Sequence, residues 1–293
     1  MTQSTELSPA ILPTPPVSIL TRDLTLTGHL PPQELKQVLV VGASGGIGQA
    51  FCQALITLNP SITLIRFART LTHLDQAWSN PNLNSNTRPA FDYTIDLADE
   101  STFEPAITAC KNDLAAHQID FKPDWVLIAT GWLHDPTHQP EKTYQQLEAQ
   151  TMLYSYQVNA VGPILWLKML LQALPLRRNS PALKIGVLSA RVGSISDNRL
   201  GGWHSYRASK AALNMLLKNL AIELQRNQKP VIVVGLQPGT THTALSAPFQ
   251  KGLTPNQVQT PAYTAQQLIK VMQALVPQDS GELFDFLGLP FAP

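Results

Sequence analysis

A glycine-rich segment between a short apolar run and a helical run constrains the fold of this chain more than any other feature. The run Val38–Val41 predicts a buried strand, and residues 49–55 predict the first turns of a helix. Between them, Gly42, Gly46 and Gly48 follow the spacing G-x-x-x-G-x-G. Glycine lets a backbone approach a phosphate closely, and the N–H groups of a helix N-terminus attract anions. The segment therefore predicts a phosphate site, although a tight turn without a ligand has the same pattern.

A second pattern lies far along the chain, at the start of another segment whose apolar spacing predicts a helix. Tyr206 and Lys210 are four positions apart and therefore share one face of that helix. The Lys ammonium is expected to lower the pKa of the Tyr phenol from its free value of about 10. A phenol tuned in this way can give a proton to a carbonyl oxygen or take one from an alcohol. The pair alone is also typical of a surface helix start, but its combination with the glycine segment is specific.

With these two motifs the sequence resembles the short-chain dehydrogenase/reductase family, from about Val38 to Gly288. The likeness is greatest to the branch that includes the bacterial C-factor and the insect carbonyl reductase sniffer. The residues that carry this closer likeness are Gly193-Ser194-Ile195, Asn198, Gly201-Gly202 and the run 206–214. The resemblance implies a nicotinamide cofactor, hydride transfer between a small-molecule carbonyl and its alcohol, and a homodimer or homotetramer.

Strand-like and helix-like segments alternate from Val38 onward, which predicts a parallel sheet with helices on both faces. We therefore expect an α/β fold, a Rossmann-type doubly wound, mainly parallel seven-stranded sheet in a single domain. The predicted strands are Gln37–Val41, Ile62–Phe67, Phe91–Ile95, Trp125–Ala129, Leu183–Ser189, Val231–Gln237 and a last one near Leu283–Phe286. The predicted helices are Gly46–Thr57, Thr102–Gln118, Glu141–Leu174, Tyr206–Gln225 and Pro261–Leu275, with a further one near Leu71–Trp78.

Composition bounds the remaining classes of protein. Residues 1–36 are rich in proline, which blocks regular pairing, so we expect a flexible N-terminal extension before a domain at 37–293. A net charge of +1 predicts partners other than nucleic acid or an anionic membrane. No apolar stretch reaches the about 18 residues of a membrane span, no secretory signal pattern is present, and the two cysteines suggest no disulfide framework or metal site. These observations favour the cytoplasm.

The ends of the predicted strands supply candidates for a cofactor site. The glycine turn contributes Gly42, Ser44, Gly46, Ile47 and Gly48. After the second strand, arginine stands where an NAD site would have an acidic residue. A guanidinium binds a 2′-phosphate in a bidentate way, so the pattern predicts NADP, with Arg69 as the better candidate and Arg66 as the second. An ordinary solvated arginine is the alternative.

The resemblance assigns further cofactor contacts. Asp96-Leu97 would meet the adenine, although Asp96 could equally cap a helix. Ala129-Thr130-Gly131 stands where the family has Asn-Ala-Gly; Gly131 keeps the close backbone approach, and Ala129 loses a structural hydrogen bond. The family's P-G-x-x-x-T motif assigns contacts with nicotinamide and pyrophosphate to Pro238, Gly239, Thr241 and Thr243, and Tyr206 and Lys210 complete the cofactor set. Read without the resemblance, this last segment is a Pro-Gly turn.

The resemblance also implies that Asn159 holds a water that links the catalytic Lys to solvent; a core Asn with satisfied hydrogen bonds is the alternative. The family's catalytic Ser falls on Ala190 in this chain. In one account Ser189, or else Ser194, takes over through a local shift of the strand end. In the other, Tyr206 alone polarises the carbonyl, at a rate about 10²–10³-fold lower. We favour the first account, with Tyr206, Lys210, Asn159 and Ser189 as the catalytic set.

The sequence therefore predicts an NADP(H)-dependent oxidoreductase that reduces a ketone or aldehyde, with Tyr206 as general acid/base. Its substrate loop is expected at about 244–260. The residues Trp132, Leu133, His134, Trp203 and His204 could line an apolar pocket with two polar groups, but for His134 and His204 surface loop positions are slightly favoured. The alternative is a regulatory or signalling protein that binds NADP with weak catalysis or none, motivated by Ala190 and Ala129.

Overall fold

The structure is a computed structural model that describes residues 16–21, 34–71 and 91–293. The strands are β1 Gln37–Val41, β2 Thr63–Ala68, β3 Phe91–Thr94, β4 Trp125–Ile128, β5 Leu183–Leu188, β6 Val231–Gln237 and β7 Leu283–Asp285. The α-helices are α1 Gly46–Leu58, α2 Phe103–Ala116, α3 Ala149–Tyr156, α4 Gly162–Ala173, α5 His204–Arg226 and α6 Pro261–Ala274.

All seven strands form one sheet in the order β3-β2-β1-β4-β5-β6-β7, and every neighbouring pair is parallel. This confirms the predicted doubly wound sheet. The order changes direction between β1 and β4, and in such sheets ligands bind outside the carboxyl ends of the strands at that point. The topology therefore places the glycine segment after β1 at the expected crevice.

Side chains of alternate strand residues feed two hydrophobic layers, one on each face of the sheet. On one face, Leu39 and Val41 join a core with Trp166 of α4 and Leu213 of α5. On the other face, Val38 and Val40 pack with residues of α1 and α6. The central strands β1 and β4 are buried along their whole length, which explains their continuous apolar sequence.

The predicted helix Glu141–Leu174 is wrong in its first part and interrupted in its middle. Residues 144–146 form an isolated 3₁₀ turn, in which the Gln146 side-chain oxygen accepts the N–H groups of Lys142 (2.7 Å) and Thr143. These bonds close the turn on itself, and α3 begins only at Ala149. Between α3 and α4, Gln157–Val161 form a π-helical turn. The helix predicted near Leu71–Trp78 lies almost entirely outside the described residues.

The described part of the N-terminal extension packs on the domain. Ile19 is buried, and its N–H donates to the Gly288 carbonyl at 2.9 Å, while the Ser18 hydroxyl donates to the Leu287 carbonyl. Residues 1–15 and 22–33, which hold most of the extension that we expected to be flexible, lie outside the described residues. Within the described ranges, no helix combines the length and the apolar character that crossing a membrane requires.

Candidate active site

The glycine turn is closed by contacts that leave no room for side chains. Gly42 has a φ of +80°, and a Cβ placed on it would lie 2.7 Å from Thr130 Cγ2. A Cβ on Gly48 would lie only 2.1 Å from the Gly42 carbonyl oxygen. At the start of α1, no side chain caps the helix. Its first N–H groups thus remain without a side-chain acceptor, as an anion site requires.

The segment after β6 closes on the same turn. A Cβ on Gly46 would lie 2.9 Å from Thr243 Cγ2, which places Thr243 directly against the glycine turn. Thr241 faces the protein instead, because its buried hydroxyl pairs with the Thr264 hydroxyl at 2.9 Å and with the Pro238 carbonyl. Gly239 has a φ of +72°, a conformation that glycine adopts at little cost.

A cleft runs along the carboxyl ends of β1, β2, β3 and β4. Seven of the sixteen predicted cofactor residues line it together, namely Gly42, Ser44, Arg69, Asp96, Leu97, Ala129 and Gly131. Gly46, Ile47 and Gly48 belong to the first turn of α1 rather than to this lining. The lining also includes residues that the sequence did not indicate for the cofactor, among them Thr70, Trp132, Tyr154 and Val158.

One further observation indicates that the cleft suits a dinucleotide. The Thr130 hydroxyl is buried at the cleft and has no hydrogen-bond partner among the residues that the structure describes. A buried hydroxyl without a partner costs free energy, which a bound ligand with polar groups would recover. An uncapped helix start, a glycine turn and this hydroxyl together suit a phosphate-bearing cofactor.

The two candidate arginines have different surroundings. Arg66 is buried on β2 and bonds the Asp92 carboxylate through Nε and Nη2, both at 2.5 Å. The two residues are direct partners in the β2–β3 ladder. The second candidate for the 2′-phosphate is therefore wrong, because this guanidinium is committed to Asp92. Arg69 is exposed and lines the cleft.

Helix α5 brings Lys210 next to Gly131, which lines the cleft, and carries Tyr206 one turn earlier. The Lys210 ammonium donates to the Leu188 carbonyl at 2.9 Å and lies 5.8 Å from the centre of the Tyr206 ring. A Cβ on Gly131 would be 3.8 Å from Lys210 Nζ and 3.8 Å from Asn159 Oδ1. Three of the predicted residues from separate elements therefore meet at one point.

The predicted fall in the pKa of Tyr206 is wrong for this structure. Burial raises the pKa of Tyr206 to about 12 and lowers that of Lys210 to about 8. Loss of hydration on burial disfavours the charged form of each group. Lys210 nevertheless stays mostly protonated at neutral pH, since its pKa remains above 7.

Asn159 lies in the π-helical turn and braces the cleft. Its Oδ1 accepts the Trp132 N–H at 2.7 Å, and its Nδ2 donates to the Trp132 carbonyl at 2.8 Å and to the Ser209 hydroxyl at 3.0 Å. The amide thus fixes the segment after β4 against α5. Its role in a water relay stays a prediction.

The structure contradicts the prediction that Ser189 replaces the missing hydroxyl at Ala190. The buried Ser189 hydroxyl donates to Asn214 Oδ1 at 2.5 Å. Asn214 lies two helical turns beyond Tyr206, which is roughly 12 Å along the axis. The Ser194 hydroxyl is engaged within its own loop, where it accepts the Asp197 N–H at 3.2 Å. The described residues thus favour the account in which Tyr206 works without that serine.

The segment before α5 holds a conformation that sequence patterns did not indicate. Gly201, Gly202 and Trp203 have φ values of +61°, +65° and +48°. The left-handed region is cheap for glycine but costs a bulky residue about 1–2 kcal/mol. The Trp203 N–H donates to the Glu141 carbonyl at 2.5 Å, and the buried Glu141 carboxylate accepts the N–H and hydroxyl of Ser205. The two consecutive glycines were the one available signal.

Aromatic rings from three segments gather beside Tyr206. The Trp203 ring centre lies 6.4 Å from that of Tyr206 and 5.0 Å from that of Phe249, and His134 lies 5.4 Å from Phe249. His134 Nε2 also bonds the Leu245 carbonyl at 3.1 Å. Phe249 belongs to the predicted substrate loop, so the loop closes this aromatic cluster. Trp132 instead packs edge-on against Tyr154.

Comparisons with known proteins agree with this geometry. A family model described as short chain dehydrogenase matches residues 36–254. C-signal of Myxococcus xanthus is 30% identical over 137 residues, which cover 47% of this chain and 75% of that protein.

Two solved structures share the fold. The carbonyl reductase Sniffer of D. melanogaster superimposes with a TM-score of 0.72 at 22% identity, covering 89% of this chain and all of that one. A structure of NADPH-bound carbonyl reductase from chicken fatty liver gives a TM-score of 0.74 at 24% identity, covering 88% of this chain and 99% of that one.

Proposed function

This chain belongs to the short chain dehydrogenase family of oxidoreductases, and from that premise we propose that it reduces a ketone or an aldehyde with NADPH. One observation carries the proposal: Gly131, Asn159 and Lys210 meet at the end of the glycine-lined cleft, with Tyr206 one helical turn before Lys210. An acid/base pair and a dinucleotide cleft at one place are what carbonyl reduction requires.

NADPH supplies a hydride when it is bound in such a site. In this proposal Tyr206 gives its proton to the carbonyl oxygen; burial raises the pKa of Tyr206 to about 12, so the phenol holds that proton at neutral pH. Lys210 places a positive charge beside the same ring and favours the phenolate that forms as the proton leaves. A methyl group at Ala190, in place of a hydroxyl, leaves this chain with one donor fewer toward that oxygen.

The preference for NADP rests on Arg69. It is exposed at the end of β2 and lines the cleft, and an exposed guanidinium is free to bind a 2′-phosphate in a bidentate way. The chicken carbonyl reductase of the same fold binds NADPH. Both observations support NADP over NAD.

The aromatic cluster supports a substrate with a sizeable apolar part. The Trp203 ring lies next to Tyr206, Phe249 packs on Trp203, and His134 packs on Phe249. The Nε2 of His134 bonds the Leu245 carbonyl. Apolar walls with few polar groups are typical of sites that bind hydrophobic small molecules.

We also propose that two or four copies associate through α3 and α5, and that the protein is cytoplasmic. Leu153 on α3 is 70% exposed, and Met215 on α5 is 62% exposed. Exposed apolar side chains on neighbouring helices are typical of an interface. Light scattering that gives a mass near 32 kDa, that of one chain, would contradict the association.

A rival function is supported by Ala190 and by the engaged hydroxyls of Ser189 and Ser194: an NADP-binding regulatory protein with little or no turnover. NADPH oxidation in the presence of a panel of apolar ketones and aldehydes separates the two. For the reductase we expect turnover that falls about 10²–10⁴-fold in Tyr206→Phe while NADPH still binds. Tight NADPH binding without turnover by the unaltered protein would favour the rival.

A further inference from the structure

The start of the catalytic helix is held by a residue far away in sequence. Glu141 lies between β4 and α3, and it contacts the segment Trp203–Ser205 at two places. Its carbonyl accepts the Trp203 N–H at 2.5 Å, and its carboxylate accepts the Ser205 N–H at 3.2 Å and the Ser205 hydroxyl. The carbonyl of Glu141 thus binds the residue before α5, and its carboxylate binds the second residue of α5. We call these hydrogen bonds the Glu141 grip.

The side chains of this grip are buried, and they hydrogen-bond each other. Glu141 and Ser205 are 4% and 3% exposed, so water does not compete for their bond. A carboxylate is favourable at this place because the first N–H groups of a helix carry a partial positive charge. A carboxylate is rarely buried unless donors bind it, and among the described residues the N–H and the hydroxyl of Ser205 are those donors.

The grip also holds the unusual backbone before α5. Trp203 is the last of three consecutive left-handed residues, and its N–H bond to Glu141 opposes relaxation of that conformation. The left-handed turn directs the Trp203 ring toward Tyr206 and Phe249. Backbone strain at a bulky residue persists only where its surroundings fix it, and such sites cluster where function needs a set geometry.

We propose that Glu141 is a positioning residue of this enzyme, which fixes Trp203 and Tyr206 as one unit through Ser205. The inference rests on the proposed reductase function for its kinetic part alone. Glu141 acts through the backbone of the helix start, since Ser205 immediately precedes Tyr206.

Two variants that remove more or less of the Glu141 side chain's bonding test this role. Glu141→Gln keeps one acceptor oxygen and loses the charge, while Glu141→Ala loses both side-chain bonds. A misplacement of the reacting group by about 1 Å costs roughly 10²-fold in rate, so we expect kcat to fall about 10²-fold in Glu141→Ala and less in Glu141→Gln, with the affinity for NADPH unchanged. Glu148→Gln, which alters an exposed carboxylate in the same segment, is the matched control.

Ser205→Ala removes the same contact from its other side, so the proposal can still be tested if a Glu141 variant fails to fold. If both residues act through one contact, the double variant Glu141→Gln/Ser205→Ala loses no more activity than the worse single variant. Additive losses, or loss of thermal stability with kcat of the folded protein unchanged, would reduce Glu141 to a structural residue and overturn the proposal.

A readout without turnover keeps the two hypotheses apart. The chain is labelled with fluorotryptophan, and the resonance of Trp203 among its five tryptophans is assigned with Trp203→Phe. We expect this ¹⁹F signal to shift in Glu141→Ala and not in Glu148→Gln. A shift in a protein that turns over no carbonyl would support the positioning of Trp203 and refute the reductase function. An unchanged signal together with unchanged kcat would overturn the positioning and leave the reductase intact.

Discussion

The cofactor side and the substrate side of the cleft are built by different means. On the cofactor side the close contacts are made at glycines, where Gly48 meets the Gly42 carbonyl and the Thr130 and Thr243 side chains meet Gly42 and Gly46. On the substrate side they depend on larger side chains: a methyl group at Ala190, a strained Trp203 and a loop that carries Phe249. A glycine with no room for a Cβ tolerates no change of residue, whereas a side-chain contact can be replaced by another. The glycine turn therefore keeps the family's spacing, and the departures fall at side-chain positions, Ala129 on the cofactor side and Ala190 on the substrate side.

Restoring a hydroxyl on the substrate side is the strongest way to sharpen this contrast. Each donor toward a developing oxyanion is worth about 10²–10³-fold in rate, so Ala190→Ser is expected to raise kcat for carbonyl reduction by up to that factor. Steady-state NADPH oxidation measures the gain. A variant that folds and shows no gain would mean that another group already occupies this role.

Ser189→Ala is the matched control for that prediction. Its hydroxyl bonds Asn214, so its loss should leave kcat within about two-fold and lower the free energy of unfolding by about 1–3 kcal/mol. A loss of kcat as large as the gain in Ala190→Ser would reinstate Ser189 as a catalytic residue.

The next largest effect is expected on the cofactor side. In Gly48→Ala the added Cβ meets backbone atoms at 2.1 Å and 2.8 Å, so the turn itself must move. Strain of about 3 kcal/mol corresponds to about 10²-fold in NADPH affinity, measured by fluorescence titration. In the control Gly45→Ala the nearest contact is 3.3 Å, and little change is expected. Equal losses in both variants would show that the backbone contact does not matter.

A buried charge gives the substrate side its own dependence on pH. Burial lowers the pKa of Lys210 from 10.5 to about 8, so between these values the unfolded chain binds more protons than the folded one. The contribution of Lys210 to the free energy of unfolding should therefore rise with pH over that window, by roughly 3 kcal/mol. Lys184, whose pKa burial also lowers to about 8, adds to the rise. The thiols of Cys52 and Cys110, whose pKa burial raises from 9.0 to about 12, oppose it above about pH 9, and Tyr206 opposes it above about pH 10.

Urea unfolding of Lys210→Met across this window isolates its share. The variant should keep the pH dependence of the other buried groups and lose the rise that belongs to Lys210, so the difference in stability between the two proteins should change by roughly 3 kcal/mol across the window. An identical pH dependence in both proteins would contradict the burial of the Lys210 charge.

The smallest effect concerns the choice of cofactor. In Arg69→Gln the ratio of NADPH to NADH affinity should fall about ten-fold, the worth of one charge-assisted contact with a 2′-phosphate at an exposed position. In Arg66→Gln the ratio should stay constant and stability should fall, since that guanidinium bonds Asp92. A ratio that changes only in Arg66→Gln would reverse the assignment.

The fold was largely predictable because it depends on local patterns. The apolar runs that form β1 and β6 are buried inside the sheet, and the predicted bounds of both strands agree with the structure. The predicted helix from Glu141 failed because a Gln146 side chain satisfies nearby N–H groups and ends the turn early. A helical composition does not reveal such a side-chain bond.

The site was less predictable because its key contacts join distant parts of the chain. The grip of Glu141 on Ser205 spans 64 positions, and the bond between Ser189 and Asn214 depends on which way a strand end turns. The pairing of Arg66 with Asp92 follows from the register of β2 and β3, which single-strand patterns leave open. Residue types could be recognised, but not their partners.

The π-helical turn at Gln157–Val161 contains one residue more than an α-helix would use for the same rise. Deleting a residue there would convert the segment into a continuous α-helix and rotate everything on one side of it by about 100°. Tyr154, which lines the cleft from α3, would then point elsewhere while Asn159 kept its hold on Trp132. The direction in which α3 presents its side chains to the cleft thus depends on the number of residues in the π-helical turn, not on the identity of any side chain.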